Sequence, residues 1–184
     1  MWTPTLRKSE LSKGDYLTLP VSPRRATEVL VVLTIMVIAM GGMIRIYDAG
    51  ESCPDWPTCF GTFGFDISEE EQGEWWDENP DEADSRGSGH RYTSFQIFTE
   101  WFHRLLAGAL VGPLVIVNWF LVRKEIWNSP RVRGVSSLTL ALILWQGAIG
   151  WLTVKFDNEN WSVAIHLGSA LAFLISLIWL WIEI

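Results

Sequence analysis

The chain has 184 residues, of which 49% are apolar or aromatic and 19% are charged, and its formal net charge is −7. This length predicts a single domain. The acidic balance argues against nucleic-acid binding, because proteins that bind nucleic acids present a basic surface to the phosphates.

Four apolar segments are each long enough to form a transmembrane helix. A spanning helix needs roughly 20 mostly apolar residues, and polar flanks can extend it into the headgroup region. Soluble helices alternate an apolar stripe with a polar face, whereas these segments are apolar on every side. The sequence therefore predicts an all-α membrane protein built as a four-helix bundle. The predicted spans are about 26–46, 97–122, 135–154 and 161–182.

The distribution of Lys and Arg predicts the orientation in the membrane. Basic residues are frequent in the arm 1–25 before the first span and in the loop between the second and third spans, but rare in the long loop 48–95. Short loops rich in Lys and Arg stay in the cytoplasm. We therefore expect a cell-membrane protein with a membrane domain over 26–184, both termini in the cytoplasm and an extracytoplasmic 48–95 loop.

Most acidic residues lie in that long loop. Its stretch 68–89 is charged and rich in Gly and Ser, and it contains Trp75 and Trp76. Such a composition predicts a solvated, partly disordered insertion. Alternatively, the two tryptophans contact the membrane surface, where aromatic side chains are enriched.

Cys53 and Cys59 are the two cysteines of the chain, and both lie in the 48–95 loop. Disulfides persist outside the cytoplasm, so one interpretation is a structural disulfide that closes this part of the loop. A second is a redox-active pair that relays electrons or senses oxidation. A third is a metal site, for which His90 is the nearby additional ligand.

The second and fourth spans carry ionisable side chains, which are costly inside a membrane and therefore indicate a functional site. Glu100 and His103 share one face of the second span, and His166 lies in the fourth. At 1.5 Å rise per residue, both imidazoles are expected roughly 8–9 Å below the outer boundary. Two histidines at one depth on different helices can bind one haem iron from opposite faces. We therefore predict a haem site with His103 and His166 as iron ligands.

Two arginines lie close to this predicted site. Arg45 ends the first span on the same outer side, and Arg104 follows His103. A guanidinium suits a carboxylate, so either side chain can pair with a haem propionate. The alternatives are that a membrane histidine only forms hydrogen bonds between helices, and that Glu100 and Arg104 are ordinary interfacial charges.

Several segments together resemble the haem A synthase family (CtaA/Cox15). They occur in the family's order over about residues 29–182, and together they are more specific than any one alone. The second span carries the family's Glu-x-x-His-Arg pattern as Glu100-Trp101-Phe102-His103-Arg104. The matching segments are 41–45, 52–61, 100–104, 145–154 and 166–167.

The resemblance implies a reaction and a set of residue roles. Family members oxidise a methyl group of haem O stepwise, through an alcohol, to the formyl group of haem A for terminal oxidases. His103 and His166 would hold or flank the haem, and Glu100 would be the catalytic acidic residue. Cys53 and Cys59 would form a loop disulfide. A haem O synthase and an electron donor are the implied protein partners.

The usual family member has eight helices in two related halves, and this sequence matches the N-terminal half. We therefore expect either a homo-oligomer or a second four-helix half, either of which could supply a haem b site. Three other functions remain open at this stage. They are a non-catalytic membrane cytochrome b, a four-helix thiol oxidase, and an assembly factor that delivers haem to an oxidase.

Overall fold

The computed structural model describes residues 22–82, 84–126 and 129–184, and these ranges are mostly helical and contain no β-strand. Most of the predicted N-terminal arm, including Arg7, Lys8 and Lys13, lies outside the described residues. The helices are α1 (Pro23–Ile46), α2 (Glu69–Glu78), α3 (Ser94–Arg104), α4 (Gly112–Glu125), α5 (Pro130–Lys155) and α6 (Asn160–Glu183). A π-helical segment, Leu105–Val111, joins α3 to α4 without a break.

Four helical units in the described ranges are long and apolar enough to cross a membrane. They are α1, the continuous unit Ser94–Glu125, α5 and α6, and each is longer than the predicted span. Large apolar side chains such as Leu144 and Ile175 are exposed along them, which suits contact with lipid. The predicted all-α, four-helix membrane fold is confirmed.

Local capping explains where two of these helices begin. Ser22 accepts a hydrogen bond from the backbone of Arg25 and is followed by Pro23, and Ser129 with Pro130 repeats this arrangement at α5. A serine N-cap accepts a hydrogen bond from a backbone N–H that has no partner within the helix. Proline is tolerated at the first helical position because no backbone N–H is needed there.

The helices pack around one another as a bundle. Helix α1 packs against α3, α4 and α6, and α5 packs against α4 and α6. At the end of the bundle that carries residues 47–93, α3 packs on α1 and is joined to this loop by several hydrogen bonds. We call this end the loop end.

The described residues of 47–93, which are 47–82 and 84–93, form a folded unit at the loop end, which we call the cap. Trp76 is only 1% exposed and lies in an apolar cluster with Phe60, Ile67 and Tyr92. The side chain of Gln72 exchanges two hydrogen bonds with the backbone of Tyr92, at 3.0 and 2.8 Å. These contacts hold α2 against the segment that leads into α3.

The expectation of a partly disordered insertion over 68–89 is therefore wrong for the residues of this stretch that the structure describes, 68–82 and 84–89. Composition alone suggested solvation, but Trp76 and Tyr92 supply buried apolar area that orders the charged sequence around them. The alternative, that both tryptophans contact the membrane surface, is wrong for Trp76 because its side chain is buried inside the cap.

Candidate functional site

Cys53 and Cys59 form a disulfide in the cap, as one interpretation of the sequence predicted. Both residues are buried. The metal-site interpretation gains no support, since the described part of the chain contains no group of three or more His, Cys, Asp or Glu side chains placed to hold a metal ion. His90 instead contacts Arg86 and the ring of Tyr92.

The Glu100 carboxylate is buried beneath the disulfide segment and is 4% exposed. Its Oε2 accepts hydrogen bonds from the Ser52 hydroxyl and the Cys53 backbone N–H, both at 3.0 Å. Its Oε1 accepts a hydrogen bond from Arg104 Nη2 at 2.5 Å. Because donors from the cap and from its own helix hold both oxygens, the carboxylate has a fixed position in the site.

The Arg104 guanidinium joins α3 to the disulfide segment. Besides the bond to Glu100, its Nη2 donates to the Cys53 carbonyl at 2.6 Å, and its Nη1 donates to the carbonyls of Asp55 and Thr58 at 2.5 and 3.2 Å. These bonds satisfy the backbone of a tight loop that has few partners of its own. In this arrangement Arg104 orders the loop that orients Glu100.

The His103 imidazole lies one helical turn from Glu100 and packs against α1 at Gly41. A Cβ atom added to Gly41 would lie 3.4 Å from His103 Cε1, so the absence of a side chain there leaves space for the ring. The buried Nδ1 of His103 has no hydrogen-bond partner among the described residues.

The His166 imidazole of α6 has the same kind of surroundings and lies close enough to His103 for the two rings to interact electrostatically. A Cβ atom at Gly150 of α5 would lie 3.2 Å from His166 Cε1, which is closer than most Cβ contacts. The Nδ1 of His166 is also buried without a partner in the described part of the chain. Gln146, one turn before Gly150, donates hydrogen bonds to the His166 carbonyl and to Ser169.

A hydrogen bond at the loop end relates the depths of the two histidines. Arg45 Nη2 donates to Asn160 Oδ1 at 2.7 Å and so ties the last turn of α1 to the start of α6. Gly41, which supports His103, precedes Arg45 by about 6 Å along α1, and His166 follows Asn160 by about 9 Å along α6. Both imidazoles therefore lie at a similar depth below the loop end.

These features fit a haem group. A buried polar nitrogen without a partner costs about 1–3 kcal/mol, so two such atoms indicate a partner that the chain itself does not provide. Imidazole is a common axial ligand of haem iron.

The structure thus places the predicted site residues in two groups. Glu100, His103 and Arg104 share about one turn of α3 beneath the disulfide, and His166 lies on α6. Arg45 is exposed at the rim, where it bonds Asn160. Sequence reasoning did not identify Ser52 as a partner of Glu100, and its position beside Cys53 was the available signal.

A separate cavity of about 570 Å³ lies between the cap and the loop end of α5. Its walls include Glu51, Asp84 and Trp151, but they do not include Glu100, His103 or His166. Burial raises the pKa of the Glu51 carboxyl above its ordinary value. The hydrogen bond from Ser85 lowers this pKa, but its effect is smaller than that of burial. This acidic cavity is distinct from the histidine site.

Comparison with known proteins gives a consistent set of relatives. The family described as "Cytochrome oxidase assembly protein", COX15-CtaA, matches residues 24–184. The "Heme A synthase" of Shewanella oneidensis is 33% identical over 154 residues, which cover 83% of this chain and 43% of that protein.

Two further relatives show the same pattern of coverage. The "Heme A synthase" of Erythrobacter litoralis is 29% identical over 80% of this chain and 47% of its own length. That of Caulobacter vibrioides is 33% identical over 82% of this chain and 47% of its own length. The chain thus spans less than half the length of these curated relatives. No solved structure matches it.

Proposed function

Because the chain belongs to the cytochrome oxidase assembly protein family COX15-CtaA, we propose that it takes part in oxidising haem O to haem A. The observation that carries this proposal is the buried Glu100 carboxylate, held by three donors one helical turn from His103. A carboxylate in a fixed position can move a proton or stabilise charge, and the neighbouring imidazole is suited to hold iron.

His103 and His166 hold the haem O substrate in the proposed reaction. The Nδ1 atom of each ring is buried without a hydrogen-bond partner among the described residues, and each ring rests on a glycine of a neighbouring helix. Oxidation of the substrate methyl group through an alcohol to a formyl group removes four electrons overall and adds one oxygen atom, so it requires an external oxidant such as dioxygen, whose further reduction uses a separate electron donor. Glu100 accepts a proton or stabilises charge at this carbon, and the cap shields it from water.

Arg45 is the better placed of the two predicted propionate partners. It is exposed at the loop end and its hydrogen bond to Asn160 is at the rim of the bundle, within reach of an incoming carboxylate. Arg104 could pair with a propionate only by releasing the carbonyls of Cys53, Asp55 and Thr58. We therefore assign Arg104 to positioning Glu100.

We further propose that the protein lies in the cell membrane with its cap outside the cytoplasm. The opposite end of the bundle carries Arg123, Lys124, Arg131 and Arg133, as the positive-inside rule requires of a cytoplasmic end. A second four-helix half or a second copy of the chain completes the unit and supplies a haem b site. A haem O synthase delivers the substrate, and a separate electron donor supports the oxidation.

Haem extraction tests the proposed function. The chain is co-expressed with a haem O synthase in a host that lacks haem A, alone and together with the second half of a relative, and membrane haems are identified by chromatography and mass spectrometry. We expect haem A or its hydroxymethyl intermediate, and we expect Glu100→Gln to abolish both.

Glu70→Gln is the matched control, because Glu70 is an exposed carboxylate of the cap. It should leave the haem products unchanged. Unconverted haem O in membranes that contain haem-loaded protein, with or without the second half, would reject the proposal and leave a non-catalytic haem carrier.

A further inference from the structure

A short turn of the cap, residues 61–66, lies alongside α3 rather than above it. The Trp101 Nε1 atom donates a hydrogen bond to the Phe63 carbonyl at 2.7 Å. The Phe65 ring lies 5.0 Å from the ring of Phe98 and 4.9 Å from that of Trp101. These contacts fix the turn against the second turn of the helix. The Phe63 side chain nevertheless remains 76% exposed.

The side of α3 that binds this turn faces away from the candidate active site. At 100° per residue, Phe98, Trp101 and Phe102 share one face of the helix, and Leu105 continues it. Glu100 and His103 share the opposite face. Since the imidazole face points into the bundle, the aromatic face points outward, and Leu105 is exposed there.

The position of Trp101 along the span places the turn near a membrane boundary. The continuous helical unit Ser94–Glu125 has 32 residues and is about 48 Å long, which exceeds a hydrocarbon core of about 30 Å. If the helix is centred, each end projects by about 9 Å. Trp101 lies about 10 Å from Ser94, so the turn that it binds meets the edge of the hydrocarbon region.

Three backbone N–H groups of the turn, those of Gly61, Thr62 and Gly64, have partners within the chain, which lowers the cost of an apolar environment. The Gly61 N–H donates to Asp55 Oδ2 at 3.0 Å, and the Gly64 N–H donates to the Thr62 hydroxyl at 2.8 Å. The backbones of Cys59 and Thr62 exchange two hydrogen bonds, at 2.8 and 3.1 Å. Asp66 is the one charged residue of the turn and lies at its end.

From these observations we infer that residues 61–66 are an interfacial anchor that inserts Phe63 and Phe65 into the lipid leaflet at the loop end. Aromatic side chains are enriched at this depth of a bilayer. The anchor holds the cap, and with it the disulfide segment above Glu100, at a fixed height on the bundle. The inference concerns the lipid bilayer alone and is independent of the proposed reaction.

Site-directed spin labelling of the full chain in bilayers tests the anchor. A maleimide nitroxide is attached at Phe63→Cys, where the exposed side chain makes substitution compatible with folding, and mass spectrometry confirms that the Cys53–Cys59 disulfide is retained. Power saturation then compares collision with oxygen, which concentrates in lipid, and with a water-soluble nickel chelate. Glu70→Cys, on the exposed surface of α2, is the matched aqueous control.

We expect oxygen to be the more effective relaxant at position 63 and the nickel chelate at position 70. Equal access of the nickel chelate at both positions would overturn the anchor, because the turn would then lie in water. Low access of both reagents at position 63 would also overturn it, because protein rather than lipid would cover the turn. If Phe63→Cys does not fold, the nitroxide is attached at Phe65→Cys and the access of oxygen and of the nickel chelate is compared there, with the same outcomes for the anchor.

Discussion

At the scale of single residues, the Glu100 carboxylate depends on the cap for its position. Ser52 and Cys53 belong to the disulfide segment, yet they provide two of the three hydrogen bonds that Glu100 accepts. A carboxylate held this way needs little reorganisation when charge develops nearby. The disulfide segment is therefore part of the site, in addition to closing a loop.

Ser52→Ala should slow haem A formation without reducing haem content. It removes one hydrogen bond to a charged group, worth about 1.5–3 kcal/mol, so we expect a decrease of at least about tenfold in rate. The measurement is haem A formed per haem-loaded protein over time. Ser85→Ala is the matched control, since Ser85 makes a similar bond to Glu51 in the cap. Equal rates in the two variants would contradict the assigned role of Ser52.

Gly150→Ala should weaken haem binding through His166. The added Cβ would lie 3.2 Å from the imidazole Cε1 and must displace the ring. Overpacking of this kind costs about 1–3 kcal/mol, which corresponds to a loss of about fivefold to 150-fold in affinity. Absorbance titration of the purified chain with haem measures this effect.

The control for this change is on the same helix. Gly147 has no atom within 4 Å of an added Cβ, so Gly147→Ala should bind haem as the unmodified chain does. If the two alanine variants bind haem equally well, then Gly150 does not provide the space that His166 needs.

At the scale of elements, α2 begins with a reciprocal capping box. The Ser68 hydroxyl accepts from the Glu71 backbone N–H at 3.2 Å, and Glu71 Oε2 accepts from the Ser68 backbone N–H at 2.7 Å. The Ser68 backbone bond lowers the pKa of the Glu71 carboxyl below its ordinary value of 4.5. Four backbone donors of a helix start lack partners, and this pair satisfies two of them.

The stability of α2 should depend on pH through Glu71. Because the pKa of Glu71 is lowered by folding, its ionised form stabilises the helix above pH 4.5, and this contribution is lost as the pH falls through the folded-state value below 4.5. Glu71→Gln keeps a capping side chain but does not titrate. Amide exchange of α2, corrected for intrinsic pH effects, should therefore show a smaller loss of protection on acidification in the variant. An identical loss in both proteins would contradict this assignment.

The membrane helices could be predicted from sequence, whereas the cap could not. A segment that crosses lipid must be apolar on every side over roughly 20 residues, and this signal is strong in each of the four spans. The described residues of the 68–89 stretch are ordered because Trp76 and Tyr92, which are 16 positions apart in the sequence, lie in one apolar cluster. Composition does not reveal such a contact.

Part of the candidate site could likewise be predicted from the sequence, and part could not. Glu100, His103 and His166 could be identified because ionisable groups are costly in a membrane. The contacts of Arg104 with Cys53, Asp55 and Thr58 depend on the path of the disulfide segment, which residue spacing along α3 does not specify. The sequence therefore offered Arg104 as one of two propionate partners, whereas the structure shows its guanidinium bonded to the disulfide segment.

At the scale of the whole molecule, the two ends of the bundle are held together by different contacts. Helix α4 packs on α5 away from the cap, and the Asn118 side chain donates a hydrogen bond to Thr27 of α1 at 3.0 Å. Toward the loop end, α3 packs on α1, and the disulfide segment covers Glu100. The candidate site therefore lies between the helices and the cap, and its order depends on both.

The central claim is that His103 and His166 bind one haem, and spectroscopy of the purified chain tests it most directly. The chain is reconstituted with haem, and absorbance, magnetic circular dichroism and haem content are compared for three variants: His103→Ala, His166→Ala and His90→Ala. We predict one haem per chain, with the absorbance and magnetic circular dichroism spectra of an iron that has two imidazole ligands. His103→Ala and His166→Ala should each lose these spectra. His90→Ala should leave them unchanged, because His90 lies in the cap. Unaltered haem binding in both His103→Ala and His166→Ala would contradict the account.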